Sequence, residues 1–269
     1  MKTTMTQTNL VGKIMSKKAV VVLLGLLTLV STNSYAQRLQ QNQEQFRVLL
    51  FTKSLDYQHL SVPSGVQMFK ELATDNHFAL TWTTQSDVFD DQENLNKMDA
   101  IVFMNTSGDI LSDDQRKALQ AYMRQGGGFV AIHSASFTMM EWPWYVKLVG
   151  GVWNRHPNPG IWTAVVNNEA PEHPATAHIP NKWVVTEEWY NYLELSENIT
   201  VALTIDETTF PGGKMPDYHP IAWYQEDFEG GRSYHTGLGH PEGIYDNHWY
   251  RQHILGAVWW AATGGKAHE

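Results

Sequence analysis

Gly126-Gly127-Gly128-Phe129-Val130-Ala131-Ile132-His133-Ser134-Ala135 is the stretch whose reading decides the fold. The glycines end whatever precedes them, because glycine alone takes left-handed backbone without a steric penalty. The apolar run after them has no polar residue alternating with it, as in a strand covered on both faces of a parallel sheet. Upstream, Ser112-Asp113-Asp114 caps a helix that runs through Gln125, with Leu119, Tyr122 and Met123 as its apolar stripe. Residues 100–104 (Ala-Ile-Val-Phe-Met) form a second buried strand. In residues 78–84, Phe78, Leu80 and Trp82 alternate like a strand, and in 63–73 Val66, Phe69 and Leu72 keep helical spacing. Residues 46–52 are the first strand. Strand, helix, strand, helix, strand at this spacing requires right-handed βαβ units. The expectation is an α/β fold: a mostly parallel central sheet flanked by helices, flavodoxin-like, with extra short strands in the second half.

Those extra strands are read at 162–166, 182–192, 200–205, 220–224 and 232–236, separated by loops of Gly, Pro and Asn, and a closing amphipathic helix at 250–262. No repeat or linker divides this body. One domain is expected over 46–264, with a flexible lead-in at 37–45 and a tail at 265–269.

The first 36 residues read as a signal peptide. Lys2, Lys13, Lys17 and Lys18 precede or open an apolar run at 19–30, and Ser34-Tyr35-Ala36 offers a small-x-small cleavage site. The run is too short to span a bilayer, which takes about 20 residues. The expected location is periplasmic or secreted, with no membrane anchor after cleavage. The leader holds four of the 19 Lys+Arg and none of the 28 Asp+Glu, so the mature chain sets 15 basic residues against 28 acidic ones. Such a surface repels phosphate backbones and excludes nucleic acid as a partner. The chain has no cysteine, which rules out a thiol nucleophile, a disulfide framework and any Cys-ligated zinc site.

Function is sought at the turn after the Phe129–Ile132 run, where α/β sheets place their sites. A sharp strand-to-helix elbow needs small residues two before and two after its apex. Ala131 and Ala135 flank His133 in this way, whereas Ile132 and Ser136 flank Ser134. His133 is therefore expected at the exposed apex, and a serine hydrolase is disfavoured. A helix starting there would keep the imidazole neutral. His59 follows the first strand, and His156, His219 and His240 lie in loops beside proline, with Gly239 expected to bring backbone close to a ligand. His173 and His178 read as surface loop. No spacing matches a metal signature such as HExxH, so a metal site needs ligands from distant loops; the cofactor is unknown and a divalent metal stays open. Glu187 and Glu188 are adjacent on a strand and face opposite ways, so only one can enter a shared site. Asp206-Glu207 is a weaker acidic candidate, and neither glycine-rich stretch is a phosphate loop.

The combination Ser107-Gly108-Asp109, residues 126–134, Trp142-Pro143-Trp144-Tyr145, Leu148-Val149-Gly150, His173-Pro174, Glu188-Trp189-Tyr190-Asn191, His219-Pro220-Ile221-Ala222-Trp223, Gly230-Gly231-Arg232 and Gly239-His240 resembles the ThuA-like (trehalose utilisation) family over about 46–264. The resemblance implies a fold similar to class I glutamine amidotransferases, whose elbow carries a catalytic cysteine. His133 stands in that place, so amidotransferase chemistry is not implied. It also implies carbohydrate breakdown, with 3-keto-glycosides as the suggested substrates. Many members have an acid near the position of Phe137. The expected catalytic residues are His133, His240 and Glu188, and the expected substrate-binding residues are His59, Ser134, His156, Trp189, Tyr190 and His219. The rival reading is a non-catalytic sugar-binding module. The two part on whether His59, His133, His240 and Glu188 point into one pocket.

Overall fold

Strands β1 (Arg47–Phe51), β3 (Ala100–Met104) and β4 (Gly128–Ile132) are the continuous apolar runs, and every residue of β3 and β4 is buried. They are covered on both faces. Val48 and Leu50 pack on one side with Val66, Phe69 and Leu72 of helix α1 (Val62–Asp75). Ile254 and Val258 of the closing helix α5 (His248–Thr263) share that side. Leu49 and Phe51 pack on the other side with Phe103, Phe129, Leu119 and Met123, the last two from α3 (Asp113–Arg124). Burying an apolar side chain of this size stabilises by roughly 1.5–3 kcal/mol, which is why these strands carry no polar alternation. The computed structural model describes residues 44–158, 160–215 and 218–266. The leader expected at 1–36, the lead-in up to 43 and the last three residues lie outside the described residues. Gln45 is tied down, its backbone N–H donating to His77 O at 2.9 Å. No helix among the described residues is long and apolar enough to cross a membrane.

The remaining strands are β2 (Ala79–Thr83), β5 (Val152–Arg155), β6 (Ile161–Asn168), β7 (Lys182–Glu188), β8 (Asn191–Leu193), β9 (Thr200–Asp206), β10 (Pro220–Phe228) and β11 (Gly231–Thr236). Short helices α2 (Gln92–Leu95) and α4 (Pro143–Val149) complete the set. The main sheet runs β2-β1-β3-β4-β11-β10-β9-β6-β7, and β5 pairs with β8 apart from it. β2, β1, β3, β4 and β11 are mutually parallel; β11, β10, β9, β6 and β7 pair antiparallel. The sheet is thus α/β as expected but mixed. Antiparallel neighbours in the second half can be joined by tight turns, without the crossover of a dozen residues or more that parallel pairing requires. The β10–β11 turn shows this, with Glu229 and Gly230 at φ 53° and 98°, the positive values a tight two-residue hairpin needs.

Residues 182–192 do not form one strand. The chain leaves β7 after Glu188 and resumes pairing at Asn191, which frees Trp189 and Tyr190 to turn inward. Helix α3 starts with the expected cap: Ser112 Oγ accepts from Gln115 N at 3.3 Å, and Ser112 N donates to Gln115 Oε1 at 3.0 Å.

His173 is not a surface residue. Its ring is buried and stacks on Tyr224 at 4.3 Å, with Trp260 of α5 at 4.9 Å. The loop carrying it is held against α5, where His253 Nδ1 donates to Ala175 O at 2.9 Å. Gly256 makes that contact feasible. A Cβ there would collide with the Pro174 carbonyl oxygen and lie 2.6 Å from its carbon. Helix propensity alone favours Gly256→Ala by about 1 kcal/mol, but backbone cannot yield as a side-chain tip does. The variant is expected to lose about 1–3 kcal/mol net, seen as a lower melting temperature. An unchanged or raised melting temperature would show that the loop is not held there.

Candidate active site

At the carboxyl end of β4 the chain bends at once. His133 has φ 54°, a left-handed value costly for a residue with a Cβ. Ala131 and Ala135 are fully buried beside it, as an elbow demands. From His133 to Phe137 the backbone makes a 3-10 turn. The apex residue is not exposed: the His133 side chain has no solvent contact, because the loop after β11 and Tyr190 close over it. Its Nδ1–H donates to Gly237 O at 2.8 Å, which leaves the lone pair on Nε2. The Tyr190 hydroxyl donates to Nε2 at 2.9 Å. His240 Nδ1 lies 3.2 Å from Nε2, and Glu188 Oε2 lies 3.5 Å from it.

Glu188 is therefore the acid of the adjacent pair that enters the site. Its Oε2 accepts from His240 Nδ1 at 3.0 Å, and its Oε1 is 3.6 Å from His156 Nε2. Gly160 lets the covering loop approach, since a Cβ there would strike Oε1. Glu187 turns the other way and is wholly buried. It accepts from the backbone N–H groups of Gly239 at 2.7 Å, His240 at 3.0 Å and Glu188 at 2.8 Å. Gly239 is needed, but not to approach a ligand. At φ 133° its carbonyl accepts from the hydroxyls of Tyr245 and Ser61, and a Cβ would press on Ile132 and two tyrosine hydroxyls.

These groups open on a cavity of about 370 Å³. His59, Ser134, His156, Glu188 and His240 give its polar wall, and Tyr57, Phe137, Trp153 and Tyr190 its aromatic one. His133 stands directly behind. His59 Nδ1 lies 3.4 Å from Ser134 Oγ, while its Nε2 is buried without a partner among the described residues. Burial, helped by the neighbouring His133 and His240, pushes the His59 imidazole down to about 2, so the ring is neutral. Burial likewise lowers His133. For Glu188 burial acts to raise the pKa, but the hydrogen bond and charge of His240, with the other imidazole close by, outweigh it and hold the group well below the carboxylate range. For His240 burial is outweighed by the Glu188 bond and charge, and its pKa rises. The site thus carries an ionised carboxylate ringed by imidazoles. Ligand atoms of His59, His133, Glu188 and His240 all lie within 4.8 Å of one another.

Two expected binding residues are elsewhere. Trp189 is buried away from the cavity, its Nε1–H donating to Trp162 O at 2.8 Å. His219 faces acceptors with both ring nitrogens, Glu207 Oε1 at 2.7 Å and Tyr190 O at 2.7 Å. Both residues hold the Tyr190 turn in place instead of meeting a ligand, and Asp206-Glu207 serves that same support. Sequence reasoning overlooked Tyr57, although it adjoins His59, and Trp153, for which no local signal exists. Phe137 lines the cavity with its ring 4.8 Å from that of Trp153.

The model of the family described as ThuA, trehalose utilisation, matches residues 47–261. The chain belongs to the ThuA family. Two ThuA-like proteins of known structure are similar to it. One, from Bacteroides uniformis, is 22% identical over 81% of this chain and 92% of that chain, with a TM-score of 0.68. The other, from Parabacteroides merdae, is 20% identical over 84% and 92%, with a TM-score of 0.67. These likenesses extend the ThuA fold to this chain. No curated protein matches it.

Proposed function

We propose that this ThuA protein is an enzyme of carbohydrate breakdown that acts on a sugar or 3-keto-glycoside in the His59–Glu188–His240 cavity. The observation that carries the reading is the 3.0 Å contact of Glu188 with His240 on the wall of a cavity whose other side is aromatic. Aromatic faces suit the C–H faces of a sugar ring, and the carboxylate–imidazole pair suits proton transfer. Cleavage, elimination or isomerisation beside a keto group each begins when a base removes the proton from the carbon next to the carbonyl. A donor must then meet the oxygen that gains charge. Glu188 with His156 and His240 supplies proton-transfer groups at the wall. His133, closed off from the cavity, orients them. The leader pattern at 1–36 adds that the enzyme works outside the cytoplasm.

A non-catalytic sugar-binding module needs the aromatic wall but no acid–base pair, and the Glu188–His240 contact speaks against it. The test is incubation of the purified protein with a panel of glycosides and 3-keto-glycosides. Turnover supports the enzyme; saturable binding of the same sugars without product would establish the module. Trp153→Ala should raise KM about tenfold with kcat nearly unchanged, given the roughly 0.5–1.5 kcal/mol that a ring contact contributes beyond area. A fall in kcat with KM unaltered would remove Trp153 from substrate contact.

A further inference from the structure

We infer that His59, His133, His240 and Glu188 form a binding site for one divalent transition-metal ion with a three-nitrogen, one-oxygen donor set. The inference deepens the enzyme reading above, on whose site it rests, yet it is measurable with no sugar present.

Spacing is the first argument. Zinc-type ions sit about 2.0–2.2 Å from imidazole nitrogen and carboxylate oxygen, so two ligand atoms of a tetrahedral site lie roughly 3.4 Å apart. The His240 Nδ1–Glu188 Oε2, His133 Nε2–His240 Nδ1 and His133 Nε2–Glu188 Oε2 separations are 3.0, 3.2 and 3.5 Å. Three edges of a coordination tetrahedron are therefore already in place. The three atoms also come from the carboxyl ends of β4 and β7 and the loop after β11, far apart in sequence, so no local turn imposes the spacing.

Orientation is the second argument. Metal-binding histidines usually donate their other ring N–H to a carbonyl or carboxylate, which fixes the tautomer. His133 does so to Gly237 O at 2.8 Å, and its Nε2 lone pair faces the cluster. An ion there displaces the Tyr190 hydroxyl, for which Glu188 is a second acceptor. Glu187 acts one layer out, gripping the backbone of Gly239 and His240.

The third argument is that hydrogen bonding does not account for the cluster. His59 Nε2 is buried and unpaired, a cost of about 1–3 kcal/mol that native structures seldom leave unexplained. Three imidazoles meeting at one carboxylate offer more lone pairs than protons, and an ion satisfies them together. Three imidazoles also choose the metal: zinc, cobalt and nickel suit nitrogen ligands, whereas magnesium and calcium require oxygen. By expanding to five-coordination to take a substrate oxygen, such an ion would polarise a substrate carbonyl. Glu188 Oε1 and His156 stay free on the cavity side for proton transfer.

The experiment uses the full chain, without added tag histidines, stripped by a chelator and titrated with zinc chloride. One equivalent should bind, with a raised melting temperature, while millimolar magnesium and calcium should do neither. His59→Gln and Glu188→Ala should each weaken zinc binding at least a hundredfold, and replacing the surface residues His178 and His248 by glutamine should not. Cobalt replaces zinc as a second readout that needs no variant, since tetrahedral cobalt absorbs strongly in the visible range. Absence of stoichiometric zinc, or equal binding by the His59→Gln and Glu188→Ala variants, would overturn the site. Zinc bound without turnover of any sugar overturns the enzyme reading alone; turnover by a chain that binds no zinc overturns the metal alone.

Discussion

Glu188→Ala is expected to cut kcat/KM on a turned-over glycoside by about 10³ or more, roughly 4 kcal/mol of transition-state stabilisation. The size reflects how many functions meet on this one group. Among the described residues it is the one carboxylate on the cavity wall, and His240, His133 and His156 approach it at 3.0, 3.5 and 3.6 Å. Without it the imidazoles lose the negative charge that fixes their protons, whether that charge serves proton transfer directly or holds a metal. Glu188→Gln separates charge from shape. It fills the same space, so a structural role would leave it near wild type, while a chemical role predicts a loss close to that of alanine. Steady-state kinetics with a melting curve on each variant gives both readouts. A glutamine variant that keeps activity within a few-fold would remove Glu188 from the chemistry.

The parts of the fold that the sequence exposes are those whose burial is symmetrical. β1, β3 and β4 are covered on both faces, so nothing polar interrupts them, and the glycines after α3 mark its end. The family's motif order supports the same architecture from a different direction. Helix α4 is too short for periodicity, and among the described residues β5 pairs only with β8, so neither leaves a pattern. The break at Trp189-Tyr190 hides because aromatic residues run on through it, from Trp183 in β7 to Tyr192 in β8, with no glycine or proline to mark the turn. At the site, the two-residue period shows that Glu187 and Glu188 diverge. Which of them enters the cavity depends on where β7 ends, set by its pairing of Glu188 with Ile161, a contact across 27 residues. The elbow at His133 was legible from Ala131 and Ala135, because crowding there is local. Its burial was not, since the cover comes from Gly237 and Tyr190, 104 and 57 residues away. His219 misleads for the same reason. A loop histidine before proline looks available until Glu207 and the Tyr190 carbonyl occupy both of its nitrogens.

Glu187→Ala is the substitution expected to cost the fold most. Burial pushes this carboxyl up to about 8, against three backbone N–H groups that favour the charged form. Among the described residues both oxygens accept from N–H donors and neither faces an acceptor, so the hydrogen bonding favours the ionised group where burial opposes it. Alanine would leave the N–H groups of Glu188, Gly239 and His240 without their acceptor in a buried setting. Each such loss costs about 1–3 kcal/mol, less what relaxation and water recover, so a total near 4 kcal/mol is expected. That is a large share of the 5–15 kcal/mol typical of a domain, and in a chain of this length it lowers the melting temperature by about 10 °C. Glutamine should be intermediate. With its carbonyl in the place of Oε1 it still accepts from Glu188 N and His240 N, but its amide then opposes the Gly239 N–H. A role limited to filling space predicts a glutamine variant as stable and as active as wild type. A positioning role predicts instead that the glutamine variant, though folded, binds zinc and turns over substrate less well, because the Gly239–His240 backbone that carries a site imidazole has lost one of its anchors. A melting temperature for Glu187→Ala within 2 °C of wild type, about the shift 0.5–1 kcal/mol gives at this size, would sink the argument.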